Sequence, residues 1–165
     1  MIKCGQKNLV FGERTFIMGV VNVTPNSFSD GGDFYVKDQA VIHAQRLYEE
    51  GADIIDVGGV STAPNASLVS ENEEIDRVIP VIESLVSRGI NNISVDTKRA
   101  KVADLALSAG ASWINDQSAG LFDNEMPLVM ARADAVVIMH DGGGTGVDAG
   151  EDVTYEDLLS DIDAF

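Results

Sequence analysis

Three glycines, Gly51, Gly89 and Gly110, each end a helical stretch, and each time an apolar run follows: "ADIIDVG", "NISVD" and "SWIN". A helix stopped by glycine, then a strand, a polar cluster and another helix make a βα unit. Repetition of that unit constrains the fold more than any other feature of the chain. The spacing predicts strands over residues 16–23, 52–58, 92–96, 112–115 and 135–140. It predicts helices over 37–50, 71–88, 101–109, 124–133 and from 154 to 165. No hairpin signal separates one strand from the next, so the connections read as right-handed crossovers and the sheet as parallel. The strands are apolar on both faces, as strands covered by helices are.

No linker or low-complexity stretch divides the chain, and 165 residues make one domain, 1–165. Two α/β architectures follow. A five-stranded doubly wound sheet fits the length. A (β/α)8 TIM-type barrel needs about 250 residues and would be represented by its first five βα units. Leu158, Leu159, Ile162 and Phe165 form an apolar stripe that reaches the last residue, which is the expectation for a chain stopping inside a sixth βα step.

The polar clusters all follow strands. They read "NVTPNSFSDGG", "DVGGVSTAPNAS", "DTKR", "NDQSAG" and "HDGGGTG", whereas the opposite loops are plain helix stops. Both architectures bind ligands at the carboxyl ends of their strands. Asn22, Asp56, Asp96 and Asn115 each fall at or near such an end. Two carboxylates and two carboxamides that converge can read the edge of a flat heterocycle, because carboxylates accept from ring N–H and amino groups and carboxamides do both. Such oxygens also suit Mg²⁺. Ser61 and Thr62, with the glycine-rich loops, offer hydroxyls and backbone N–H groups to a phosphate.

Plainer roles compete. Any one strand-end Asp or Asn is more often a helix cap than a ligand; four together point to a site. "DGGGTG" lacks the frames of the known phosphate-binding glycine motifs and reads as a loop. His140 closes a strand and fits either a core or a site. His43, mid-helix among apolar neighbours, reads as structural, and Met139 as core. Cys4 has no base partner in the motifs and does not read as a nucleophile.

Eleven basic residues face 27 acidic ones, a formal net charge of −16. That argues against nucleic-acid partners and anionic membrane surfaces. An anionic substrate would need a local positive field, from a metal ion, helix N-termini or a few Arg and Lys. There is no run long enough to span a bilayer and no signal-peptide core. With a single cysteine, the expected setting is cytoplasmic.

"MGVVNVTPNSFSDGG" resembles the first signature of the dihydropteroate synthase family, and "GADIIDVGGVSTAP" the second. "ISVDTKRAKVADLALSAGASWINDQSAG" and "VVIMH" are similar to its next strand ends, in order and spacing. The resemblance covers the first five or so of eight βα units and favours the barrel. It implies a transferase of folate biosynthesis: the amine of p-aminobenzoate displaces pyrophosphate from 6-hydroxymethyl-7,8-dihydropterin diphosphate. It implies that Asn22 binds Mg²⁺, that Asp96 and Asn115 read the pterin with Asp56 in the same row, and that Met139 lines the slot. Thr62 would lie near the diphosphate, with Ser61 and His140 completing the substrate-binding set. Phe28, Ser29 and Asp30 would belong to the loop that closes over p-aminobenzoate. A homodimer is implied for the full-length form. The chain departs from the pattern at Val60 and Ala63, where an acidic residue and Arg are usual, and at Gln117, where an apolar residue is common. It has no counterpart of the later motifs. A pterin-binding paralogue without catalysis is the alternative reading.

Overall fold

The structure, a computed structural model, describes residues 1–24, 32–60, 68–138, 157 and 159–160, and the side chains of these except 32–35 and 138. Its first element is one that the βα periodicity does not announce. β1 (Ile2–Cys4) and β2 (Lys7–Leu9) pair antiparallel around Gly5 and Gln6. Gly5 takes the left-handed conformation (φ +56°) that a two-residue hairpin turn requires, and a Cβ there would lie 2.2 Å from the Asn91 carbonyl oxygen.

Five strands follow: β3 (Met18–Asn22), β4 (Ile54–Gly58), β5 (Ile93–Asp96), β6 (Trp113–Asp116) and β7 (Ala135–Ile138). They pair in chain order, and every pair is parallel. That order separates the two candidate architectures. A doubly wound sheet reverses its direction of growth so that helices cover both faces. Here each strand is laid beside the last. The helices α1 (Gly32–Glu49), α2 (Glu71–Ser87), α3 (Ala100–Ala109) and α4 (Met126–Met130) pack neighbour on neighbour in the same order. The result is a continuous arc of five strands and the four helices between them, the barrel arrangement.

Element boundaries differ from expectation in physically instructive ways. α1 begins at Gly32, not at residue 37, because Val36 extends the buried stripe of Ala40, Val41 and Ala44 by one turn. α4 is limited to Met126–Met130, with Pro127 in its first turn. The predicted helix stops hold: Gly51, Gly89 and Gly110 all have positive φ (+109°, +82° and +113°). The stretch predicted as helix from 154 to 165 lies outside the described residues apart from 157, 159 and 160.

Alternation along each strand sorts the side chains. The outward set, Val21, Val23, Ile55, Val57, Ile93, Val95 and Ile114, packs under Val78, Val81, Ile82 and Leu85 of α2 and the alanines of α1 and α3. Each large aliphatic buried there contributes about 1.5–3 kcal/mol. The inward set is different, and this corrects the expectation of strands covered by helices on both faces. Ile54 and Trp113 are covered by Cys4 and Leu9 of the hairpin, with Phe16, Met18, Ala135 and Val137 around them. Further along β3, Val20 is 53% exposed.

The hairpin is fastened as a floor beneath the inner face. Trp113 Nε1 donates to the Lys3 carbonyl at 2.8 Å. Asp134 accepts from Lys3 Nζ at 2.8 Å and from the Gly5 backbone N–H at 3.1 Å. Beyond the hairpin, Arg14 clamps Asp53 with both terminal nitrogens, at 2.9 and 2.5 Å, and Ile17 N–H adds a third bond at 3.0 Å. Arg14 accordingly holds the Asp53 carboxyl down at about 2.

Candidate functional site

Parallel register places one residue of each strand on a common inward row. Asn22, Gly58, Asp96, Asn115 and Val137 are register partners in turn. The row beneath them is Val20, Asp56, Ser94, Trp113 and Ala135. Three of the four predicted strand-end residues thus share one level at the carboxyl end of the sheet. Asp56 lies one level below, between Val20 and Ser94. Gly58 keeps the upper row open: a Cβ there would lie 3.4 Å from Asp96 Oδ2 and 3.7 Å from Asn22 Oδ1.

Asp56 is buried at 2% exposure and accepts from Asn115 Nδ2 at 2.9 Å. An ionised carboxylate can only accept, so Asn115 turns its NH₂ toward Asp56 and presents its carbonyl oxygen to the interior. Among the described residues, the buried side-chain polar atoms without a hydrogen-bond partner are Asp56 Oδ1, Ser94 Oγ and Asn115 Oδ1. They lie on three adjacent strands, Asp56 and Ser94 on the lower row and Asn115 one level above. Buried polar atoms are nearly always satisfied in native proteins, so three orphans side by side mark a place built for something else to complete. Two are obligate acceptors, which suits a ligand that brings N–H donors.

The charges agree. Burial pushes the Asp56 carboxyl up, eased by the Ser94 hydroxyl, which lies near without hydrogen-bond geometry, and by the Asn115 amide. Burial, and then the charge of Asp56, push Asp96 up to about 7, while Gln117 eases it and Glu74 and Asp116 add to it. Gln117 Nε2 is 3.2 and 3.4 Å from the two Asp96 oxygens. Two carboxylates that oppose each other's ionisation are held ready for donors that would relieve them.

The capping alternative does not apply to Asp56 or Asp96. Ser70 caps α2, its Oγ accepting from Glu73 N–H at 3.2 Å. Asp123, from the loop after β6, accepts from Ala100 N–H at the start of α3 at 2.8 Å. Phe28, Ser29, Asp30, Ser61, Thr62, Met139 and His140 lie outside the described residues. His43 is a correction: it is exposed on α1, because Val41 and Ala44 turn the buried stripe away from it. Cys4 is fully buried with its Sγ 3.7 Å from Ser112 Oγ, and burial pushes its thiol up, so it stays inert. Sequence reasoning missed Ser94, although "ISVD" puts it two residues before Asp96 and so on the same face.

A family model described as "Pterin binding enzyme" matches residues 18–165. A dihydropteroate synthase from Staphylococcus epidermidis is 52% identical over 137 residues, covering 79% of this chain and 50% of its own length. The structure of a dihydropteroate synthase from Clostridium difficile, solved in the presence of pteroic acid, superposes with a TM-score of 0.82. It has 43% identity and covers 95% of this chain and 57% of that one. A dihydropteroate synthase from Xanthomonas albilineans with 4-aminobenzoic acid gives a TM-score of 0.81 at 40% identity, over 99% of this chain and 56% of that one. The chain spans about half the length of the curated relatives it matches.

Proposed function

The chain belongs to the pterin-binding enzyme family, and on that premise we propose that it is the first five βα steps of a dihydropteroate synthase. Residues 1–165 would form one pterin-binding domain with part of the barrel. The observation that carries this reading is the set of unpartnered acceptors, Asp56 Oδ1 and Asn115 Oδ1, with the Ser94 hydroxyl between them and Asp96 above. A dihydropterin presents ring N–H and exocyclic amino groups along one edge. Asp96, Asn115 and Asp56 would take those donors, and a ligand without them would leave the acceptors buried and unsatisfied.

The reaction is a substitution at a methylene carbon. The p-aminobenzoate nitrogen forms the new C–N bond as the C–O bond to the diphosphate breaks, and the amine gives up one proton. The chain's part is to fix the pterin ring so that its methylene faces the amine, with water kept from the buried acceptors. Thr62 and Ser61 would serve the diphosphate, Met139 and His140 the pterin slot, and Phe28, Ser29 and Asp30 the p-aminobenzoate side.

Magnesium fits Asn22. The carboxamide oxygen is a hard donor on the top row, and Gly58 leaves the space between Asn22 Oδ1 and Asp96 Oδ2 unfilled. Among the described residues no group of three or more His, Cys, Asp or Glu could hold a metal. Mg²⁺ takes few protein ligands and completes its shell with water and phosphate. When bound, it would neutralise charge on the departing diphosphate.

Titration calorimetry of the chain with the pterin diphosphate, with and without Mg²⁺, tests the proposal. Saturable binding that Mg²⁺ strengthens and Asp96→Asn weakens by about tenfold is expected. A folded chain that binds no pterin diphosphate at millimolar concentration would refute it.

A further inference from the structure

On the helix side of the strand ends lies a buried charged cluster that the proposed reaction does not use. Glu74, in the first turn of α2, is 2% exposed. Its two oxygens are divided between partners: Oε1 accepts from Thr97 Oγ1 at 2.6 Å, and Oε2 is paired with Arg99 Nη1. Arg99 Nη2 donates onward to the Val69 carbonyl at 2.7 Å, and the Arg99 backbone N–H donates to Thr97 Oγ1 at 3.2 Å. The same helix grips the chain as it leaves β4. Arg77 Nη1 donates to the Gly59 carbonyl at 2.8 Å, and a Cβ on Gly59 would lie 3.1 Å from Glu74 Cγ and 3.3 Å from the Glu74 carbonyl oxygen.

A buried ion pair adds little stability over apolar side chains of similar size. Val69 and Val78 are buried nearby, and an aliphatic residue at 74 would serve packing as well. What a two-oxygen acceptor supplies instead is direction. It fixes two pieces of backbone against the start of α2: Thr97–Arg99 directly, and Val69 through Arg99. Thr97 is the residue directly after Asp96.

We propose that Glu74 is a positioning residue for the site: through Thr97 and Arg99 it fixes the end of β5, and so the Asp96 carboxylate, against the first turn of α2 and Val69 before it. The ligand half of this inference rests on the pterin reading; the geometric half does not. Glu74→Gln keeps the shape and one acceptor but loses the charge. Arg99→Lys keeps a charge but cannot reach both Glu74 and Val69.

Hydrogen exchange of the chain, followed by mass spectrometry, and calorimetric affinity for the pterin diphosphate read the two halves. In Glu74→Gln, amides at Val69 and Thr97–Arg99 should exchange about tenfold faster while those of β6 keep their protection. Affinity should fall about tenfold, and the further loss should vanish in the weakened but still binding Asp96→Asn background, because Glu74 acts through Asp96. In Arg99→Lys, Val69 should loosen and Thr97 should not. Uniform acceleration, or none, overturns the proposal, as does local loosening with unchanged affinity or with the same loss in the Asp96→Asn background. If the unaltered chain binds no pterin diphosphate, the pterin reading fails, and exchange at Val69 and Thr97–Arg99 alone decides whether Glu74 holds those segments.

Discussion

Replacing Asp96 with Asn should make the ligand-free chain more stable, by an amount that grows with pH. The Asp96 carboxyl is pushed from 3.8 up to about 7. The folded chain therefore binds that proton more tightly than the unfolded chain does. Below about pH 4 both states hold it and it contributes nothing. Between about pH 4 and 7 stability falls as pH rises, and above 7 the full cost is present. A shift of about 3 units at 1.36 kcal/mol each sets a ceiling of about 4 kcal/mol. Solvent reaches Asp96 on its open side, so about 2 kcal/mol is the expected cost at pH 8. Asn at this position keeps an acceptor for Gln117 and never ionises, and it removes the charge that opposes Asp56. Urea unfolding followed by far-UV circular dichroism, in EDTA and without ligand, measures the difference at pH 5, 6, 7 and 8. The variant should lead by about 2 kcal/mol at pH 8, and the lead should shrink by at least about a quarter by pH 5, on its way to zero below about pH 4, with the slope against urea unchanged. A lead that does not change with pH, or a variant less stable at pH 8, would refute the electrostatic reasoning.

Other predictions are simpler to read. Asp53→Asn should cost about 1 kcal/mol at pH 7, discounted because Arg14 is half exposed, and nothing near pH 2. The Asp53 contribution is present above pH 4 and lost as pH falls through about 2, which an acid-unfolding series would show. Gly59→Ala should destabilise by about 1–3 kcal/mol, because its Cβ would meet Val78 Cγ2 at 2.8 Å. Ala119, the one non-glycine with positive φ (+52°) among the described residues, should accept glycine with a gain of about 0.5–1 kcal/mol by thermal or urea unfolding. Leu85→Ala, at the centre of the helix-side core, should cost about 2–5 kcal/mol in the same assay.

What was legible in the sequence is what is encoded locally. A helix that ends on glycine announces itself at that residue, and Gly51, Gly89 and Gly110 announced three. Asn22, Asp56, Asp96 and Asn115 could be placed on one end of the sheet because parallel strands have a direction. Their level relative to one another could not be read, since register is a property of two strands. Only the structure puts Asp56 one step below the others. The hairpin escaped notice because three-residue strands carry almost no pattern of their own; Trp113 and Asp134, more than a hundred residues away, hold it. His43 was misjudged because its neighbours in the chain are apolar, while its face of the helix is not the buried one. Glu74 carries no signal of its own in the sequence, since an acid at a helix start ordinarily complements the dipole. Its partner Thr97 is 23 positions along the chain, and no local pattern connects them.

The hairpin floor also gives the chain a built-in optical gauge. Trp113 is its only tryptophan, and the indole N–H is committed to the Lys3 carbonyl. The ring sits in the inner row directly beside Ser94, one level below Asp96 and Asn115. Its emission therefore registers whether the first nine residues are docked, and it does so from a position one layer beneath the proposed pterin edge. An unfolding curve recorded by fluorescence follows that floor, whereas one recorded by circular dichroism follows the helices on the opposite side of the sheet. Where the two curves separate, the amino-terminal hairpin is letting go before the arc of βα steps does.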